Sequence, residues 1–284
     1  MLKFLKSLEQ NQRKQRNKNN VFTESVMNII KQFIILCLLA TPSFGQEIPN
    51  DRMQRVYEAT VRISTNGCVG TGSVFDESND FYYILTNEHV VGDRTFMWVE
   101  YTKDHIKSKK IKARVIGRKN TSGITFDVAV LKLPKKSGDA DLPDLPVIPI
   151  SKNSPTMESR LLLTCGCQGG AIPSIQQCYI KERQANLIKF TPTSLPGRSG
   201  SMLCDIEGME ILGLVAWMSM GDNPVGIAMT GDSIRNFCYG IVNADKDGDN
   251  VLLNQLQKSN PAGVARLPLD ASEIPLAREI RKNY

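Results

Sequence analysis

Along most of the chain the apolar residues fall in short, β-branched or aromatic runs separated by glycine, asparagine and charged turns. Residues 56–75 read as β structure: Val61, Ile63, Val69, Val74 and Phe75 are strand formers, broken by Asn66-Gly67, whose ease in left-handed conformations marks a tight hairpin. Glycine inside that region, at Gly70-Thr71-Gly72-Ser73, implies close approach of another backbone. Phe81 to Leu85, Ile111 to Gly117 and Phe126 to Leu133 predict further strands. Residues 134–147, rich in proline and charge, read as a linker, after which the same rhythm returns in Leu161 to Cys165, Gln176 to Lys181, Ala185 to Phe190 and Glu210 to Met218. Apolar positions recur at the helical period over Ser233 to Val242, with Asp232 or Ser233 as N-cap. Many short strands with glycine turns predict an all-β barrel or sandwich followed by a helix.

The N-terminal end follows different rules. Met27 to Lys31 is a short basic start, Phe33 to Ala40 an apolar core, and Ser43 and Gly45 are the small residues of a cleavage site. These are the parts of a secretory signal peptide over 27–45, too short for a comfortable bilayer span. Residues 1–26 are then an over-long basic leader or an upstream extension, with initiation at Met27. The rival is an uncleaved membrane anchor. Cleavage predicts a secreted or periplasmic protein with no stable membrane span.

Charge changes the picture little. Of the net +6, most lies in the first 45 residues, which hold seven basic and two acidic side chains. The rest is nearly neutral, so a nucleic-acid interface is not expected. Removing Cys37 with the leader leaves six cysteines, an even set that suggests disulfides in an oxidising compartment, with buried thiols as the alternative. Zinc is not expected, because Cys165-x-Cys167 lacks the usual spacing and a nearby histidine. Asp245, Asp247 and Asp249 alternate as calcium ligands do, but the twelfth position is Leu256, so a solvated acidic turn is the better reading. Residues 243–284 form a tail.

Candidate chemistry sits in three places. Gly197-Arg198-Ser199-Gly200-Ser201 puts a serine in a glycine-flanked turn, able to aim the amides of Gly197 and Ser199 at one point and so hold an oxyanion. The chain has two histidines; His105 lies in a charged, solvated stretch, whereas His89 ends the strand Phe81 to Leu85. Asp127 heads an apolar run, where a buried carboxylate needs a partner such as a histidine N–H.

The order His89, Asp127, Ser199 resembles that of chymotrypsin-like serine proteases. Thr86-Asn87-Glu88-His89-Val90-Val91 is similar to the family's histidine motif, especially in Deg-type proteases. Phe126 to Leu131 resembles the aspartate motif, Gly197 to Ser201 the serine motif, and Gly70 to Ser73 the strand preceding the histidine. Gly213 to Met218 and Gly226-Ile227-Ala228 resemble the substrate-binding and pocket-closing strands. The resemblance, over residues 52–242, implies two six-stranded antiparallel β-barrels, about 52–135 and 147–230, with a helix at 233–242. It implies Ser199 as nucleophile, His89 as base and Asp127 as its orienter, an oxyanion hole at Gly197 and Ser199, and no cofactor. Protein or peptide substrates would bind Thr193, Ala216, Trp217, Met218 and Gly226. Thr193 at the pocket base supplies no carboxylate for Lys or Arg, the strand after the serine has no histidine for Glu, and Met218 narrows the mouth. Small or medium apolar side chains are therefore expected at the cleaved position. The family often ties the strand after the serine to an early strand of the second barrel, implying a Cys204 bridge to Cys165 or Cys167. Too few residues follow Ala244 for the PDZ domain of Deg-type proteases. Arg198 stands where the family usually has Asp or Asn, so activation by capture of a freed N-terminus is not expected. Arg198 also favours the rival reading, a protease-like binding module that has lost turnover.

Overall fold

Two sets of antiparallel strands close on themselves in the computed structural model, which describes residues 49–65, 67–103, 106–121, 126–137, 140–153, 161–207, 209–219 and 223–258. The expected leader (1–45), His105 and the end of the tail lie outside the described residues.

Helix α1 (Asn50–Glu58) comes first. The residue pattern predicts β structure from Val56; Val56 instead lies in the last turn of this helix, and β structure starts at Thr60. Met53, Val56 and Tyr57 are spaced three and four apart, which puts all three on one face against the core. The first barrel follows with β1 (Thr60–Thr65), β2 (Cys68–Glu77), β3 (Phe81–Thr86), helix α2 (Glu88–Val91), β4 (Phe96–Lys103), β5 (Ile106–Lys107), β6 (Ile111–Asn120) and β7 (Asp127–Pro134). Its strands run β1-β2-β3-β7-β6-β4, and β1 pairs back to β4 to close a ring of six. The β1–β2 hairpin turns where Asn66-Gly67 predicts it, Thr65 facing Cys68. β4, whose Met97 and Val99 alternate inward, is a strand that the sequence reading leaves unassigned.

Short strands β8 (Lys136–Ser137) and β9 (Ala140–Asp141) lie in the linker. The second barrel is β10 (Leu161–Gly166), β11 (Ser174–Gln184), β12 (Leu187–Thr191), β13 (Met202–Asp205), β14 (Ile211–Met218) and β15 (Gly226–Thr230), closed in the order β10-β11-β12-β15-β14-β13. Period-two alternation fills each barrel: Val61, Ile63, Ile84, Val99 and Leu131 in the first, Leu162, Ile188, Phe190, Leu203 and Val215 in the second. A third apolar cluster joins residues of both barrels, including Leu85, Val130, Leu163 and Leu214, with one face of helix α3 (Gly231–Lys246). The resulting fold is the chymotrypsin-like double barrel with a C-terminal helix.

Helix α3 starts two residues ahead of the expected Ser233, and Ser233 is not its cap; its hydroxyl donates to Thr230 O at 2.7 Å. Ile234, Cys238, Ile241 and Val242 form the buried face. Ile241 packs on β6 at Gly117, where a Cβ would come within 2.7 Å of its side chain. Helix α4 (Asn250–Lys258) continues the chain within the stretch 243–284 that the sequence assigns to a tail.

Two expectations are corrected. All six cysteines after the leader are free thiols, five of them buried. Strand pairing sets Cys204 opposite Leu163 and Cys165 opposite Met202, so β13 and β10 do not align Cys204 with either proposed partner. Burial pushes the Cys165 and Cys178 thiols up to about 12 and Cys167 to about 11, which keeps them protonated and inert. Asp247 and Asp249 are exposed, as a solvated acidic turn predicts, but Asp245 is not. It lies in the last turn of α3 and takes a 2.8 Å contact from Lys132 Nζ and a 2.8 Å hydrogen bond from Tyr83 OH, tying the helix to the first barrel. Burial, then the Asp245 hydrogen bond, raises the Tyr83 pKa.

Removing the carboxylate strands two donors at a partly buried site. Asp245→Ala is expected to lower the unfolding free energy by about 1–3 kcal/mol, and Tyr83→Phe, which keeps the Lys132 pair, by less, as read from urea unfolding.

Candidate active site

Helix α2 is a single turn that interrupts the path from β3 to β4, and it carries His89 on its first turn. β7 starts at Asp127, one residue into the apolar run that anchors it. The two meet because Asp127 receives the His89 backbone N–H on Oδ1 at 3.0 Å and faces His89 Nδ1 with Oδ2 at 2.5 Å. Asn87 Nδ2 donates to Asp127 O at 2.9 Å, fixing the backbone beneath the carboxylate. The Asp127 side chain is 2 % exposed, the His89 ring 40 %. With the carboxylate on Nδ1, that nitrogen carries the proton and Nε2 is left as the basic position. Burial pulls the His89 pKa down, but the hydrogen bond and charge of Asp127, with a smaller pull from Glu88, outweigh it and hold it above the ordinary histidine value.

The serine loop comes from the second barrel. Arg198 N donates to Leu195 O at 3.2 Å across Pro196 and Gly197. Pro196 at the second position and Gly197 with φ +92° at the third give the type II turn, whose third residue needs glycine. Among the described residues the amides of Gly197 and Ser199 donate to no protein acceptor, which leaves both for a ligand oxygen. Ser199 Oγ is turned toward Ala216 O, 3.4 Å away.

The loop is held from the first barrel by Thr71. Its amide donates to Ser199 O at 2.8 Å, and its hydroxyl donates to Gly197 O at 2.8 Å while accepting from Cys167 N at 2.9 Å. Gly200, at φ +88°, passes so close that a Cβ there would lie 2.0 Å from Thr71 O. The close approach expected of Gly70 to Ser73 is this contact. Thr71 itself escaped the sequence reading; its only signal is the pair of glycines around it.

Arg198 points the other way. Its side chain, 2 % exposed, runs into the second barrel, donating to Thr164 O at 3.0 Å and to Ser174 O and Oγ at 3.1 Å. No carboxylate among the described residues pairs with it, and burial lowers its pKa. The cation therefore staples the ends of β10 and β11 beside the serine loop and does not line the cleft.

A cleft of about 210 Å³ opens beside Ser199, lined by Ser194, Leu195, Gly197, Ala216, Trp217 and Met218 among others, with no charged side chain. Thr193 and Gly226 are not part of this lining. Thr193 Oγ1 turns to Ser194 O at 3.5 Å, and a Cβ on Gly226 would fall 2.2 Å from the Phe190 ring, so that glycine makes room for a core aromatic. Ser194, one residue beyond Thr193, brings a buried hydroxyl without a protein partner to the cleft. Counting back from Ser199 does not find it, because the count does not show which of two adjacent side chains turns inward.

The model of the trypsin-like peptidase domain matches residues 70–214, half of the chain. A serine protease HtrA-like protein of Staphylococcus haemolyticus is 28% identical over 189 residues, 60% of this chain and 28% of the relative. Its Staphylococcus aureus (strain USA300) counterpart is 24% identical over 163 residues, 52% of this chain and 20% of the relative. The chain thus spans less than a third of these relatives' length. Among solved structures, the serine endoprotease from Yersinia pestis superposes with a TM-score of 0.54 at 23% identity, covering 70% of this chain and 69% of that one. An inactive form of Rv3671c from Mycobacterium tuberculosis superposes with a TM-score of 0.51 at 21% identity, covering 76% and 95%. The structural likenesses speak for the fold, and with the domain match spanning His89, Asp127 and Ser199, the chain belongs to the trypsin-like peptidase family.

Proposed function

We propose that this chain is a serine endopeptidase in which Ser199 is the nucleophile, His89 the general base and then acid, and Asp127 the group that fixes the imidazole. The reading is carried by the two-point grip of Asp127 on His89, through the backbone N–H and Nδ1, which leaves Nε2 as the nitrogen able to take a proton. The cycle begins with rotation of Ser199 Oγ from the Ala216 carbonyl onto Nε2, as catalytic hydrogen bonds tighten once substrate is bound. Oγ then bonds to the substrate carbonyl carbon while its proton passes to Nε2, and the carbonyl electron pair becomes an oxyanion facing the Gly197 and Ser199 amides. Collapse breaks the C–N bond, and the amine leaves with the proton from Nε2. Water repeats the sequence on the acyl-enzyme, releasing the acid and restoring Ser199.

Residues 52–242 act as the protease domain in this reading, and the 27–45 segment as a signal that sends it out of the cytoplasm. No helix among the described residues is long and apolar enough to cross a membrane. The binding-module alternative drew on Arg198; with its guanidinium on Thr164 and Ser174, that residue gives the alternative no support. An uncharged cleft lined by Trp217 and Met218 favours small or medium apolar side chains at the cleaved position.

Peptide hydrolysis tests the assignment. Ser199→Ala is expected to cut kcat by about 10⁶ and Asp127→Asn by about 10⁴; unchanged hydrolysis in Ser199→Ala would sink the proposal. Because the base must be neutral, kcat/KM falls as pH drops through the His89 pKa, which lies above the ordinary value of about 6.5. Asp127→Asn removes the partner that raises it and leaves burial, so the inflection moves to lower pH. A peptide library profile led by Ala, Val or Leu is expected at the cleaved position, with modest selectivity of about 1–3 kcal/mol per methylene. Met218→Gly should extend it to Phe and Tyr, and dominance of Arg, Lys or Glu would refute the pocket assignment.

A further inference from the structure

We infer that Arg62, on β1 of the first barrel, is a positioning residue for the oxyanion hole, acting through the Gln168–Gly170 turn of the second barrel. The inference rests on the proposed roles of Gly197 and Ser199.

Gly197 cannot hold its own orientation. Glycine is at ease at both negative and positive φ, so the Pro196–Gly197 peptide can rotate between type I and type II turns at little steric cost. That rotation exchanges the Gly197 N–H for the Pro196 carbonyl, replacing a donor toward the oxyanion with a repelling dipole. An outside contact must select one state. The Gly169 N–H donates to Pro196 O at 2.8 Å. A trans peptide carries its C=O and N–H on opposite edges, so capture of Pro196 O turns the Gly197 N–H away from the 168–170 turn.

The turn is itself held from across the barrels. Arg62 Nε donates to Gly170 O at 2.7 Å. Its Nη1 is paired with Glu100 Oε2, and the other oxygen of that buried carboxylate is 2.9 Å from Lys107 Nζ. A planar guanidinium bonded on two edges has a fixed direction, which a point charge on a flexible stem does not. Gly169 and Gly170 lie at φ +58° and +78°, so the turn depends on glycine, and a Cβ on Gly170 would also press on Val69 of β2. The path therefore runs Glu100, Arg62, Gly170, Gly169, Pro196, Gly197. Thr71 grips the same loop at Gly197 O and Ser199 O, and its hydrogen bonds do not include Pro196 O.

Arg62→Met and Arg62→Lys test the clamp. Losing an oxyanion donor costs about 10²–10³ in kcat, and a donor that is only released from its clamp should cost about 10- to 100-fold in Arg62→Met, with KM within about twofold. Affinity for a peptide aldehyde, whose adduct places an oxyanion at the hole, should fall in parallel, while affinity for a product peptide should hold. Arg62→Lys, which can satisfy Gly170 or Glu100 but not both, should fall between. Hydrogen exchange at the Gly169 amide should accelerate in both variants. A folded Arg62→Met protein with Gly169 exchange unchanged, or with kcat within twofold of the parent, overturns the inference. So does a loss shared equally by the aldehyde and the product peptide, the mark of a merely structural role. Should Arg62→Met fail to fold, Arg62→Lys is read by the same criteria. A parent that hydrolyses nothing defeats the proposed function alone, and Gly169 exchange still decides the clamp.

Discussion

Thr71 carries four hydrogen bonds on three atoms, and together they reach three parts of the candidate site: the serine loop, the Cys167 backbone and the strand before His89. Its amide holds Ser199 O, its hydroxyl bridges Gly197 O and Cys167 N, and its carbonyl accepts the Thr86 hydroxyl at 2.7 Å, on the strand that leads to His89. Separate barrels supply the histidine and the serine, and this contact sets their separation. It requires backbone within reach of backbone, which only glycine permits at Gly200 and favours at Gly70, where a Cβ would lie 3.3 Å from Ser199 O. The motif strings on either side of the cleft are thus two halves of one contact.

How much of this is legible in the residues depends on whether a local rule decides the matter. Strand positions follow from alternation and turn chemistry, which act over a few residues, so the 65–68 hairpin and most strands stand where the pattern puts them. The meeting of His89 and Asp127 was readable because a buried carboxylate at the head of an apolar strand demands a donor. Helix α1 was not, since Val56 and Tyr57 suit a strand or a helix equally until the core they face is known. Of the neighbours Thr193 and Ser194 only the second lines the cleft, and no local rule of sequence says which of two adjacent side chains turns inward. The cysteines mislead for a related reason: an even count is compatible with bridges, but bridging depends on register, and β10 against β13 offsets Cys204 from Cys165.

Arg198 shows how a departure from a family's usual wording can be absorbed. A buried cation without a carboxylate is costly unless its donors are met; here Thr164 O, Ser174 O and Ser174 Oγ accept from the two Nη atoms, while the buried Nε has no partner among the described residues. The side chain thereby braces one end of the 166–174 segment while Arg62 and Thr71 hold its middle and start. Two arginines and a threonine thus fix from three sides the segment against which the serine loop is laid.

Labelling with a fluorophosphonate probe followed by peptide mapping tests the central claim most directly, because the reaction needs an activated serine and a formed oxyanion hole together. The account predicts a single modified residue, Ser199, with labelling lost in His89→Ala. Modification at another serine, or equal labelling of the His89→Ala protein, would contradict it.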